Sequence, residues 1–116
     1  MTESNIKINV QLDADKVPQQ ISWSASGSTA ESPQRAKAMF VAFWDGADKS
    51  AMRIDLWTKD MMIDEMADFY YQVFTTMGDT FQRATKCEDL SKDIKSFAND
   101  FHKKFLDIEM EKNKKG

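Results

Sequence analysis

Cysteine and histidine each occur only once in this 116-residue sequence, as Cys87 and His102. A single cysteine excludes an intrachain disulfide and permits a reducing compartment. The two residues also lack the spacing of a zinc site, and Cys87 has no histidine near it in the sequence that could act as its base. We therefore expect a protein that is not an enzyme, with no catalytic residues, no metal and no cofactor.

Glycine-rich motifs, long apolar runs and a strong net charge are missing as well. The four glycines are scattered, so no phosphate-binding loop is present. The longest apolar run, residues 38–44, is far too short to span a membrane, and the N-terminal residues do not resemble a secretory signal. A net charge of −3 is too small to attract a nucleic acid. These absences predict a cytoplasmic protein without nucleic-acid binding or membrane insertion.

The residues that are present suit one soluble globular domain, residues 1–116. Apolar residues make up 41% of the sequence and charged residues 30%. Eight methionines and eight phenylalanines are the unusual feature of the composition. Most of them fall on predicted core positions, so packing is the preferred explanation for them.

Residues 5–58 have the patterns expected of a β-sheet. Apolar and polar side chains alternate over residues 6–12 and again over residues 20–26. A short polar loop joins these two segments, which predicts a first hairpin.

Residues 35–44 are ambiguous between helix and strand. A helix could begin after Ser32 and Pro33 and end at Gly46. Against this, the segment is short and rich in aromatic residues. It is followed by the turn-forming sequence DGADKS and by an alternating segment that ends at Trp57. A second hairpin accounts for both segments, so we favour a strand.

The second half of the chain changes to the period of a helix. Apolar residues recur there at intervals of three and four, which forms two stripes separated by a short connector. The stripes predict helices over residues 61–86 and 88–110, antiparallel because the connector is short. Residues 111–116 would then form a frayed basic tail.

These elements predict an α+β fold. We expect a four-stranded, mostly antiparallel sheet made of two hairpins, covered on one face by the two antiparallel C-terminal helices. The helical stripes would pack on eight apolar side chains of the sheet, namely Ile6, Ile8, Val10, Ile21, Trp23, Met52, Ile54 and Leu56.

The segment RIDLWTKDMMIDEM, residues 53–66, joins the last strand to the first helix. Asp60 is the best-placed residue to cap that helix, because its carboxylate can accept from free backbone N–H groups. Acidic residues at this point therefore have a structural explanation that needs no ligand.

Strand parity places Arg53, Asp55 and Trp57 together on the face opposite the apolar residues of the last strand. Burying the two charges without partners would be costly, so this face should be exposed. We hypothesise that these residues form a protein interface, extended by Lys59. The alternative is structural: Trp57 turns inward against the first helix.

Several strings of this sequence resemble the gliding motility protein GldC family. They are AKAMFVAFWDGADKSAMRIDLWTKDM and DEMADFYYQVFTTMGDTFQRAT, and IKINVQLDADKVPQQISWSA is similar to the family's N-terminal hairpin. The resemblance covers residues 5 to about 105, and RIDLWTKDM is its most specific string. Lys86 and Cys87 depart from it, since a glycine would be expected in that turn.

The resemblance implies an accessory cytoplasmic role in surface gliding, in machinery linked to the type IX secretion system, without enzymatic activity. The first hypothesis is therefore a non-catalytic adaptor that binds a protein of the gliding apparatus. The alternative is a small-molecule or lipid carrier with a Met- and Phe-lined cavity between sheet and helices. A hydrolase with dispersed carboxylates is the least favoured reading. Exposed strand edges would also permit a homo-oligomer.

Overall fold

The computed structural model describes residues 2–115, which form five strands and two helices. The strands are β1 (Ile6–Leu12), β2 (Pro18–Ala25), β3 (Gln34–Ala36), β4 (Ala38–Asp45) and β5 (Ser50–Trp57), and the helices are α1 (Ile63–Thr85) and α2 (Glu88–Lys115). The chain divides into two compact units, one ending at Met61 and one beginning at Met62. The α+β class is confirmed, while the organisation of residues 1–116 as one domain stays a prediction.

The first three strands form an antiparallel sheet in the order β1-β2-β3. The alternation in the sequence gives this sheet an apolar face and a polar face. On the apolar face Ile21 lies between Val10 and Ala36 and is only 1% exposed. On the polar face Ser22 lies between Asn9 and Arg35.

The last two strands form a separate antiparallel ribbon. Its register is uninterrupted from Ala38 opposite Trp57 to Asp45 opposite Ser50. In the turn, the Asp45 carboxylate accepts hydrogen bonds from the N–H groups of Ala47 and Asp48 at 2.8 and 3.0 Å. The strand prediction for residues 35–44 is thus confirmed, with β3 and β4 accounting for the segment.

The prediction of one four-stranded sheet is wrong, because a bend at Lys37 separates β3 from β4 and the two strands belong to different sheets. The Lys37 carbonyl accepts from the backbone N–H of Thr58 at 2.7 Å, and the Thr58 hydroxyl oxygen, whose single proton Lys37 shares with Asp60, lies 3.1 Å from it. Thr58 itself is only 2% exposed. The ladder with β2 therefore ends at Ala36 and the ladder with β5 begins at Ala38.

This break also changes the predicted core. Of the eight apolar sheet residues expected to be buried, Ile21 is buried and Val10 and Leu56 are half-buried. The other five are exposed: Ile6, Ile8, Trp23, Met52 and Ile54. The physical reason is that the eight residues are divided between two sheets, so that no single sheet face collects them. The packing of the helices on a sheet face stays a prediction.

The ends of the helices differ from the sequence prediction. The backbone N–H of Met62, the N-cap of α1, donates to the Glu65 carboxylate at 3.1 Å. Asp60 is not the cap, because its carboxylate accepts from the Thr58 hydroxyl instead. Helix α2 continues to Lys115, beyond the predicted end at residue 110, so residues 111–115 are helical and the rest of the predicted tail lies outside the described residues.

Helices α1 and α2 pack as an antiparallel hairpin, as predicted. The helices lie close together at Gly78, where an added Cβ would lie 3.3 Å from the Ser91 carbonyl oxygen and 3.1 Å from the Lys95 Cγ. The buried Ser91 hydroxyl donates to the Gly78 carbonyl at 2.7 Å. Ala67 and Ala98 are buried as well. Small side chains therefore permit the close contact between the helices.

Candidate functional site

The β4–β5 ribbon presents two faces that differ in chemistry. Residues paired across an antiparallel ladder lie on the same face. The first, which we call the apolar face, is formed by Met39, Val41, Phe43, Met52, Ile54 and Leu56. The second, which we call the aromatic face, is formed by Ala38, Phe40, Ala42, Trp44, Ala51, Arg53, Asp55 and Trp57.

The aromatic face contains the predicted interface residues Arg53, Asp55 and Trp57. The shared face that strand parity predicted for them is confirmed. Trp57 is 56% exposed, and its role in an interface stays a prediction. The Arg53 Nε lies 3.6 Å from an Asp55 carboxylate oxygen, and both side chains are exposed. An exposed ion pair of this kind adds little to stability, about 1 kcal/mol at most.

Lys59, the predicted extension of this patch, contacts the first hairpin. Its ammonium pairs with the Asp13 carboxylate in the β1–β2 loop at 3.0 Å, and its backbone N–H donates to the Pro18 carbonyl at 3.2 Å. The same Asp13 carboxylate accepts from the N–H groups of Asp15 and Val17 at 2.8 and 3.1 Å. Lys59 therefore anchors the end of β5 to the first hairpin, and its membership of the interface stays a prediction.

These contacts explain the role of residues 58–60, which follow β5 at the start of the segment that leads to α1. Thr58 binds the bend at Lys37, and Lys59 binds the β1–β2 loop. The hydrogen bond from the Val17 N–H, the Lys59 ammonium and the bond from the Asp15 N–H lower the pKa of Asp13. The Thr58 hydroxyl likewise lowers the pKa of Asp60. Residues 58–60 are thus a structural corner, whereas residues 53–57 present a surface.

Two further aromatic residues of this surface were not predicted from the sequence. Trp44 is 68% exposed and Phe40 is 37% exposed, and both lie on the aromatic face with Trp57. The signal that could have found them is the DGADKS turn, because its length sets the register of β4 against β5. With that register, Phe40 pairs with Asp55 and Trp44 with Ala51.

The helical unit contains His102 and Cys87, the residues considered from the sequence as candidates for catalysis or metal binding. The His102 ring stacks on Tyr71, and its Nε2 lies 3.3 Å from an Asp68 carboxylate oxygen. Cys87 is exposed, and its backbone N–H donates to the Thr85 hydroxyl at 3.2 Å. Within residues 2–115, no group of three or more His, Cys, Asp or Glu residues is placed to hold a metal. The contacts of His102 with Tyr71 and Asp68 link α2 to α1, and the hydrogen bond from Cys87 to Thr85 lies at the end of α1.

Neither α1 nor α2, over the part of the chain that the structure describes, is both long enough and apolar enough to cross a lipid bilayer.

Comparison with known protein families gives a match that covers most of the chain. The family described as gliding motility-associated protein GldC-like matches residues 18–107. The chain belongs to this family. The match extends from β2 into α2 and includes the whole β4–β5 ribbon. No curated protein and no solved structure gives a significant match to the chain.

Proposed function

We propose that this GldC-like protein is a non-catalytic accessory protein of gliding motility that binds a protein partner through the aromatic face. The observation that carries the proposal is the exposure of Phe40, Trp44 and Trp57 on one side of a two-stranded ribbon. Exposed aromatic rings are costly in water, and a partner that covers them regains the free energy of burial. The family's association with gliding motility supplies the biological setting.

The chemistry of the aromatic face favours a protein as its partner. Tryptophan, phenylalanine and arginine are enriched at protein–protein interfaces and dominate their binding energy. Arg53 and Asp55 neutralise each other at 3.6 Å, so the face carries no excess positive charge for a phosphate backbone. We accordingly propose a cytoplasmic adaptor that does not bind nucleic acid and does not insert into membranes.

The proposal is tested by capturing partners with the purified protein from the cytoplasm of a gliding bacterium. We expect Trp57→Ala to reduce capture of a specific partner by about 30-fold or more, the loss expected for a hot-spot residue of roughly 2 kcal/mol. Trp44→Ala should reduce it by a similar or smaller factor. Trp23→Ala, a change of the same type in the β1–β3 sheet, serves as the matched control and should leave capture unchanged.

Thermal unfolding of the same variants separates binding from stability. Trp57→Ala should change the melting temperature little, because the side chain is 56% exposed. If Trp57→Ala instead lowered the free energy of unfolding by several kcal/mol, Trp57 would be a residue of the packed core. If capture were unaffected by both ribbon variants, the aromatic face would not be the binding site.

The carrier alternative predicts a cavity between sheet and helices, whereas the observation that favours a carrier is an open groove within the helical unit alone. A groove of about 510 Å³ in the helical unit is lined by Thr76, Met77, Thr80, Phe81, Ala84 and Ile94. Its side chains are mostly apolar, as expected of a site for an apolar small molecule. Native mass spectrometry of the freshly purified protein tests it: a bound small molecule or lipid would support a carrier, and an unliganded mass would count against it.

A further inference from the structure

The ribbon leaves backbone edges that no strand covers. Over residues 2–115, β4 and β5 pair only with each other. Alternate residues of an antiparallel strand direct their N–H and C=O groups to the same neighbour. Because the Lys37 carbonyl accepts the Thr58 N–H at the end of β5, Met39 and Val41 direct their groups toward β5. Phe40 and Ala42, at the intervening positions, therefore direct theirs outward.

The outer edge of β4 lacks the features that normally prevent edge-to-edge pairing. Such edges usually carry lysine, proline or a bulge. Residues 38–44 contain no charge and no proline, and the β4 register has no bulge. By contrast, the edge strand β1 carries Lys7 and a register shift between Gln11 and Leu12. β4 is therefore built as an inner strand.

We propose that β4 pairs with β4 of a second copy of this chain, antiparallel about a two-fold axis at Val41. This register brings Lys37 opposite the partner's Asp45 at both ends of the strand. On the aromatic face it places Phe40 opposite the partner's Ala42 and Ala38 opposite the partner's Trp44. On the aromatic face each large side chain thus meets a small one, and the charges at the two strand ends meet opposite charges.

Neighbouring registers lose this complementarity. Outward-directed residues pair only with outward-directed residues, so the axis shifts in steps of one residue along the strand. An axis at Phe40 places Lys37 opposite the partner's Phe43. An axis at Ala42 places Phe40 opposite the partner's Trp44, which crowds two aromatic rings. The axis at Val41 is the one that satisfies both charge and size.

The dimer is independent of the proposed motility partner, yet it extends the aromatic face. A sheet in the order β5-β4-β4-β5 would carry two copies of Phe40, Trp44 and Trp57 on one side. The partner site would then be twice as large, with two equivalent halves. The molecular mass of the purified protein shows whether the dimer forms, without any partner protein. The dimer proposal and the motility-partner proposal can therefore be rejected independently of each other.

Light scattering with two proline variants tests the edge. Ala42→Pro removes an outward N–H of β4 and places a ring on the proposed contact. Ala51→Pro is the matched control, because its N–H lies on the outer edge of β5 by the same alternation. We expect a dimer for the unmodified protein and for Ala51→Pro. Ala42→Pro should raise the dimer dissociation constant by at least about tenfold, with circular dichroism confirming that it is folded.

Cysteine cross-linking tests the register and does not depend on the proline variants folding. In a Cys87→Ser background, Val41→Cys would bring two thiols together across the axis. The Cα atoms of such a non-hydrogen-bonded pair lie about 4.5 Å apart, within disulfide range. Met39→Cys is the matched control, because it lies opposite the partner's Phe43 and about 13 Å from its own counterpart.

We expect Val41→Cys to form a covalent dimer under mild oxidation at least about tenfold faster than Met39→Cys. A mixture of Met39→Cys and Phe43→Cys should cross-link as heterodimers. A monomeric mass for the unmodified protein at about 100 μM would overturn the proposal. Equal cross-linking rates for Val41→Cys and Met39→Cys would overturn it too.

Discussion

The β1–β3 sheet and the β4–β5 ribbon are both built from hairpins, but they distribute apolar residues differently. The β1–β3 sheet has one apolar face, centred on the buried Ile21, and one polar face. The ribbon has large apolar side chains on both faces, and Trp44, Met52 and Trp57 are all more than half exposed. A sheet with a polar face needs cover on one side only. The ribbon exposes apolar side chains on both sides, which supports the binding role proposed for it.

The largest expected effect separates the core from the ribbon. Ile21→Ala should lower the free energy of unfolding by roughly 2–5 kcal/mol, because the side chain is 1% exposed. Ile54→Ala, the same kind of truncation in the ribbon, should cost less than about 1 kcal/mol, since Ile54 is 53% exposed. Urea unfolding measures both. Equal losses would show that the apolar face of the ribbon belongs to the core.

A smaller effect is expected where the two sheets meet. Thr58→Val keeps the shape of the side chain and the backbone bond to Lys37 but removes the hydroxyl that contacts Lys37 and Asp60. We expect a loss of about 1–2 kcal/mol in the free energy of unfolding. Thr76→Val is the matched control, because Thr76 is exposed on α1 and its loss should change stability by no more than about 0.5 kcal/mol. Similar losses for both variants would contradict the role given to Thr58.

The smallest effect concerns pH and the anchor between Lys59 and Asp13. The folded pKa of Asp13 lies below the ordinary 3.8, because it accepts bonds from the Val17 N–H, the Lys59 ammonium and the Asp15 N–H. A lowered folded pKa means that the contribution to stability is present above pH 3.8 and is lost as the pH falls through the folded pKa.

Carbon-detected NMR titration of Asp13 measures this shift. Lys59→Met should move the pKa of Asp13 upward toward the ordinary value but not fully to it, because the two backbone N–H bonds stay. Arg53→Met, which removes a cation from the ribbon, is the control and should leave the pKa of Asp13 where it is. An Asp13 pKa that is the same with and without Lys59 would contradict the anchor.

Local pattern predicted most of the secondary structure. The alternation over residues 6–12 marked β1, and the three- and four-residue spacing after residue 62 marked both helices. Parity within a single strand also placed Arg53, Asp55 and Trp57 on one face. These predictions succeeded because each depends on the geometry of one element alone. That this shared face is an interface stays a prediction.

Features that depend on contacts between two segments could not be predicted from the pattern within one segment. The bend at Lys37 is set by Thr58, which lies 21 residues further along the chain. Asp60 looked like a helix cap by position, but a neighbouring hydroxyl binds its carboxylate. The ion pair between the Lys59 ammonium and Asp13 of the first hairpin could not be predicted from either segment alone. In each case a contact between distant segments, or a competing local partner, decided the outcome.

The sequence by itself determined the α+β composition, the two hairpins, the helical hairpin and the face of β5 that Arg53, Asp55 and Trp57 share, because side-chain periodicity acts within each element. Only the tertiary structure decided that the strands form two sheets, that Phe40 and Trp44 join Trp57 on one face, and that Lys59 pairs with Asp13. The physical reason is that register and long-range hydrogen bonds depend on which segments meet, and periodicity within one segment carries no information about its neighbours.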